Sequence, residues 1–264
     1  MNNIIEVNKL VKRFGDRAVL DGLSLKVPEG KITVIMGGSG CGKSTLLKNL
    51  IGLQRPEEGE IWIEGKNVAK LSEAEFDGVR KKFGMLFQGA ALFNSLSVGE
   101  NVALPLREHT DLSEEIIGII VKIKLELVGL TGFEGFFPYQ ISGGMKKRVA
   151  LARAIALDPK IVFYDEPGAG LDPITGGMID QLILDLSRKL QITSVVVTHE
   201  MKSAFRIADQ MVMLHRGKVV AEGDPESIKA SSNPYIRQFI HGEAEGAIPF
   251  RQSSEAYLKG LLEP

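Results

Sequence analysis

The chain has 264 residues, 44% hydrophobic and 25% charged, with a formal net charge of -1. That length is enough for one large core with a smaller subdomain, and the near-neutral balance gives no electrostatic case for binding nucleic acid. One cysteine, Cys41, excludes an internal disulfide and fits a reducing compartment, while no apolar stretch approaches the roughly 20 residues that cross a bilayer. The start, MNNIIEVNKL, also lacks the basic opening and long apolar run of a signal peptide. If the chain serves a membrane, it is expected to do so from the water side, through a partner.

Residues 4–27 alternate apolar and polar positions and predict two antiparallel strands joined at the turn-prone Gly15-Asp16. Ile32 to Met36 is a short apolar run, read as a buried strand. A glycine-rich loop follows, with a helix beginning near Lys43. Gly59 to Gly65 and Phe83 to Phe87 predict further strands, and Ser72 with Glu75 forms a capping-box pattern opening a short helix between them. Residues from about 89 to 158 carry mostly helical patterns. Ser113 and Glu114 open one helix, with apolar positions at Ile116, Ile117, Ile120, Ile123, Leu127 and Val128. A second is expected from near Ser142 through RVALARAIAL. Strand–helix alternation then resumes. Ile161 to Tyr164 and Thr193 to Val197 are near-continuous apolar runs, as parallel strands covered on both faces require. The expected architecture is an α/β core with an N-terminal antiparallel β subdomain and an inserted helical subdomain. The main domain spans residues 1–242. An extension over 243–264 is irregular, with a short possible helix from Glu255 to Leu262.

Three segments carry chemistry. The strongest is Gly37-Gly38-Ser39-Gly40-Cys41-Gly42-Lys43-Ser44, followed by Thr45. It matches G-x-x-x-x-G-K-[ST] after a strand and at a helix start, the context this phosphate loop requires. Glycines let the backbone wrap phosphates with its N–H groups exposed, and the helix start adds positive potential. Lys43 can reach the β- and γ-phosphates, and Ser44 can ligate magnesium. Next, the strand Ile161–Tyr164 ends in Asp165 and Glu166. The first carboxylate suits the magnesium, and the second suits a general base that polarises the attacking water. A solvated acidic turn is the plainer reading, but the phosphate loop makes it the weaker one. The third segment is Ile141-Ser142-Gly143-Gly144-Met145-Lys146-Lys147-Arg148. A serine and two glycines at a helix start form another anion-friendly surface, or only an ordinary N-cap.

With that third segment the sequence resembles the ABC transporter ATPase family, whose signature is Leu-Ser-Gly-Gly-Gln; Met145 stands where the glutamine is usual. The resemblance covers about residues 4–240 and implies a P-loop (RecA-like) ATPase using ATP and Mg2+. It implies a homodimer that traps two ATP molecules, with Ser142, Gly143, Gly144 and Met145 covering the γ-phosphate held by the opposite subunit. By the same resemblance Phe14 stacks on adenine, unless it is plain strand core. Gln88 touches magnesium and senses a permease. Asp172 lies in the loop that crosses the dimer interface, unless it only caps a helix, and His199 contacts the γ-phosphate.

The segments Phe87 to Phe93 and Glu100 to Thr110, together with Ser-Gly-Gly-Met, look like the ATPase subunits of Mla-type systems, which move phospholipids between bacterial membranes. The tail from Arg237 to Arg251 is similar too. That resemblance implies an integral membrane permease, an MCE-domain protein and a STAS-domain protein as partners. It places the chain at the cytoplasmic face of the inner membrane. Ile248, Pro249 and Phe250, an apolar cluster in an otherwise polar extension, are expected to dock on the neighbouring ATPase. An ATPase of a small-solute importer is the alternative. A soluble ABC protein acting on DNA or ribosomes fits poorly, because the chain has one set of motifs. A module that binds ATP without hydrolysis would not need Lys43, Asp165, Glu166 and His199 together.

Overall fold

The computed structural model describes residues 2–243 and 245–247. The expected tail helix and the apolar cluster Ile248 to Phe250 lie outside these residues. β1 (Asn3–Phe14) and β2 (Arg17–Pro28) pair antiparallel through a turn at Gly15-Asp16, and β1 also pairs with β4 (Glu58–Ile63) after β3 (Ile32–Met36) and α1 (Lys43–Leu50) intervene. A short β5 (Lys66–Asn67) completes a four-stranded sheet of order β2-β1-β4-β5. α2 (Glu73–Arg80) opens on a complete capping box: Ser72 Oγ accepts from the Glu75 N–H, and Glu75 Oε2 accepts from the Ser72 N–H at 2.8 Å.

β6 (Phe83–Leu86) leads into three helices, α3 (Val98–His109), α4 (Glu114–Leu127) and α5 (Gly143–Ala154), which pack on one another. Each starts at a serine, Ser97, Ser113 or Ser142, whose hydroxyl accepts a first-turn N–H. α5 stops three residues short of the expected end at Leu157. Pro159 disfavours helical geometry at Asp158, which instead turns left-handed with φ 49°.

β7 (Ile161–Asp165), α6 (Pro173–Leu190), β8 (Thr193–Val197), α7 (Met201–Ile207), β9 (Gln210–His215), β10 (Lys218–Gly223), α8 (Pro225–Lys229) and α9 (Pro234–His241) finish the described chain. The second sheet runs β10-β9-β3-β8-β7-β6. All its pairings are parallel except β9 with β10. Its strands alternate between two cores. Val34, Val162, Tyr164, Val196 and Met211 face the helices α3 to α6, while Ile35, Phe163, Val195, Val197 and Val212 face α1 and the antiparallel sheet. Both faces are covered, so the strands are apolar at nearly every position. The same packing sets the C-terminal ends of β3, β7 and β8 side by side, where an open α/β sheet places ligands.

Candidate active site

The loop after β3 is fixed by close backbone approach. A Cβ on Gly37, at φ 152°, would lie 2.3 Å from the Leu214 carbonyl oxygen and 2.7 Å from Cys41 Sγ. A Cβ on Gly42, at φ 111°, would meet Leu20 Cδ2 at 2.8 Å. Neither position admits another residue without moving its neighbours. Gly42 is also the N-cap of α1. It offers no side-chain acceptor, and the first turn holds no acidic residue. The free N–H groups and the positive end of α1 are thus unneutralised by the protein, which is the electrostatic requirement for holding phosphates. Lys43 Nζ donates to the carbonyls of Gly37 (2.7 Å) and Gly38 (3.1 Å) and sits inside the loop's curve. Ser44 is exposed and Thr45 half-buried. Cys41 is buried, its carbonyl accepts the Gly217 N–H at 3.0 Å, and burial pushes its thiol up.

Beside this loop lies an open cleft of about 540 Å3, whose walls include Arg17, Val19, Ser39, Gly40, His215 and Arg216. Phe14 stands at the end of β1, 51% exposed, so the plain core reading fails. Lys12 Nζ lies 5.7 Å from its ring centroid.

Asp165 ends β7. Its Oδ1 is buried and accepts no hydrogen bond, and burial, followed by the charge of Glu166, raises its carboxyl above the ordinary range. A buried carboxylate oxygen with no protein donor is the group a hard divalent cation satisfies. The donor chemistry of Asp165, Ser44 and Gln88, all oxygen, fits Mg2+.

Glu166 adopts φ 48°, and its N–H donates to the Val197 carbonyl at 2.8 Å. A left-handed glutamate is strained, and here the strain turns the side chain toward the end of β8. There Oε2 accepts from Thr198 Oγ1 (3.1 Å) and the His199 N–H (3.3 Å), while Oε1 lies 2.8 Å from His199 Nδ1. The carboxylate is held in one orientation, as a group that must act on a water requires. His199 is otherwise largely exposed.

Gln88 lies exposed, two residues past the end of β6, which stops at Leu86 rather than at Phe87. It joins the site through its backbone. Buried Lys147 on α5 donates to the Gln88 carbonyl (2.5 Å) and the Glu166 carbonyl (3.4 Å). The sequence reasoning missed Lys147 and Thr198. The signal for Thr198 was its place between a core strand and His199. Lys147 offered only its place beyond the glycine pair.

Ser142 and Gly143 are exposed at the start of α5, and Met145 packs on the core. A Cβ on Gly144 would lie 2.5 Å from Thr175 Cγ2, so this segment abuts the start of α6. Asp172 caps α6, accepting from the N–H groups of Ile174 and Thr175 at 3.0 Å each and from Thr175 Oγ1 at 2.5 Å. The capping reading of Asp172 therefore holds within one chain. Ser142 and Asp172 bond within their own helix starts, at the Met145 N–H and at Ile174 and Thr175, rather than to the loop 37–45.

A glycine loop on an uncapped helix start, beside a strand ending in two carboxylates on a parallel sheet, defines a phosphate-loop nucleotide-binding protein. The ABC transporter family profile matches residues 20–169. Over 261 residues the chain is 47% identical to the intermembrane phospholipid transport system ATP-binding protein MlaF of Haemophilus influenzae, covering 99% of both. It is 45% identical to the probable ribonucleotide transport ATP-binding protein mkl of Mycobacterium bovis, over 95% of this chain and 70% of that one. Among solved structures, the ATP-binding cassette MJ0796, dimeric in a post-hydrolysis state bound to ADP and Pi, superposes with a TM-score of 0.77 and 34% identity over 84% of this chain and 98% of that one. The chain belongs to the ABC transporter family and is one of its ATP-hydrolysing subunits.

Proposed function

We propose that this chain powers phospholipid transport between bacterial membranes as the ATPase of an Mla-type system. The observation that carries the reading is the likeness to MlaF along the whole of both chains. Lys43 and the N–H groups of residues 38–45 hold the β- and γ-phosphates of ATP, and Phe14 takes the adenine face. Ser44, Asp165 and Gln88 hold Mg2+, which neutralises charge developing on the phosphates. Glu166 orients and deprotonates the attacking water, and His199 lies beside the γ-phosphate. The exposed Ser142–Gly143 end of α5 covers the ATP of a second copy, so each complete site needs two chains. A dimeric solved relative supports that arrangement.

None of the described helices is long and apolar enough to cross a membrane. On this reading the chain meets its membrane through an integral permease, at the cytoplasmic face of the inner membrane. A groove of about 800 Å3, with Phe87, Phe93, Leu104, Pro105 and His109 in its wall, offers an apolar seat for a permease helix. An MCE-domain protein and a STAS-domain protein complete the proposed assembly. The domain proper spans 1–242, with the helical insertion over about 89–158, and the 243–264 extension is proposed to contact the neighbouring ATPase.

The second reading is a small-solute cargo, favoured by the name of the mycobacterial relative. Purification of the tagged chain from membranes in mild detergent separates the two. A permease with an MCE-domain protein and bound phospholipid is expected. A solute-binding protein and its permease would overturn the phospholipid reading and leave the ATPase chemistry standing.

A further inference from the structure

The turn after β6 is strained and is held by cations from a single helix. Ala90 and Ala91 both adopt left-handed backbone, with φ 61° and 51°, and neither is glycine. Consecutive alanines do not stay there unless something outside the turn fixes them. Three carbonyls in the segment 88–91 are claimed by α5. Lys147 Nζ takes that of Gln88, and Arg153 takes those of Ala90 and Ala91 with Nη2 and Nη1, at 2.8 Å each. Lys147 also reaches the Glu166 carbonyl. Lys147 is 5% exposed, and no carboxylate among the described residues lies within ion-pair distance of it. The charges of Asp165 and Glu166 act on it from further off, but burial outweighs them, so a buried ammonium whose direct partners are carbonyls costs desolvation and its presence calls for another role.

We propose that Lys147 and Arg153 are positioning residues that fasten the 88–91 turn to α5, so that Gln88, the backbone of Glu166 and the Ser142 end of the helix move as one body. This rests on the reading that Gln88 and Glu166 act on ATP. Ala91 and Arg153 also line the apolar groove beside Phe87 and Phe93, so the clamp reaches from that groove to the hydrolytic glutamate. A displacement at the groove is then delivered to two places at once. One is the chain's own catalytic carboxylate. The other is the helix start that serves the second copy.

The test compares the full chain with Lys147→Met, Lys147→Arg and Arg153→Lys. ATP affinity is read by calorimetry, kcat by phosphate release, Tm by calorimetric melting, and mobility of the turn by amide hydrogen exchange at residues 88–92. Lys147→Met keeps ATP affinity within about twofold and loses about tenfold or more in kcat, because a charged hydrogen bond to the turn is gone. Its Tm is unchanged or higher, and the 88–92 amides exchange faster. Lys147→Arg restores most of kcat. Arg153→Lys keeps the charge but loses the fork, and it also frees the turn; it carries the test alone if Lys147→Met does not fold. Normal kcat with unchanged exchange in Lys147→Met or Arg153→Lys overturns the proposal, as does a Lys147→Arg chain no better than Lys147→Met. A wild-type chain that fails to hydrolyse ATP would instead refute the reading of the site beneath it.

Discussion

Single side chains at this site are defined by what the fold leaves unsatisfied. Among the described residues Lys43 Nζ bonds to backbone carbonyls alone, and the residue itself opens α1 past its uncapped start. Lys43→Ala is expected to weaken ATP binding by about 10- to 100-fold, the worth of one or two charge-assisted hydrogen bonds, as measured by calorimetry. Asp165 presents the opposite case. Its buried Oδ1 has no partner, and its neighbours Lys43, Lys48 and Lys147 offset only part of the burial cost. Asp165→Asn should therefore raise the Tm of the nucleotide-free chain by about a degree or two, solvent screening keeping the gain small. The same substitution should cut magnesium-dependent turnover by about two orders of magnitude. A lower Tm would mean that the carboxylate is satisfied in a way the structure does not show.

Among the elements, the parallel strands and the glycine loop were legible because each is dictated locally. Ile32–Met36 had to be a strand covered on both faces, and Gly37 to Ser44 had to follow it into a helix. Serine and acidic pairs placed the starts of α2 and α4 for the same reason. What escaped was non-local. A lysine beyond the glycine pair reads as a solvated helix residue, and nothing local says that it is buried against the turn after β6. Nothing in Asp165-Glu166 announces that Glu166 turns left-handed to reach Thr198 and His199 across the sheet. The end of α5 was overrun because an alanine-rich run outweighed Pro159. Gly37 shows how tightly the loop is built into the sheet. Gly37→Ala, with its Cβ 2.3 Å from a backbone oxygen of β9, should cost about 2–4 kcal/mol in denaturant unfolding, since backbone cannot step aside as a side chain can. A loss under about 0.5 kcal/mol would show that the loop is looser than its contacts imply.

At the scale of the whole molecule, half of the chemistry points outward. The phosphate loop, Asp165 and Glu166 converge at the ends of three adjacent strands, while Ser142 and Gly143 face solvent at the start of another helix. In the proposed dimer two copies joined head to tail bring these halves together, and the apolar groove beside the 88–91 turn is left for the proposed membrane partner. On that proposal the dimer closes when ATP is bound and opens after hydrolysis, a two-state element biased by the γ-phosphate.

Glu166 is proposed to drive hydrolysis at a site shared between two chains. The most direct measurement is phosphate release from Glu166→Gln with Mg2+ and ATP, with the mass of the nucleotide-bound species recorded on the same sample. Retained ATP binding, a stable dimer holding uncleaved ATP, and turnover reduced by about a hundredfold or more are expected. Turnover at the wild-type rate would contradict that role.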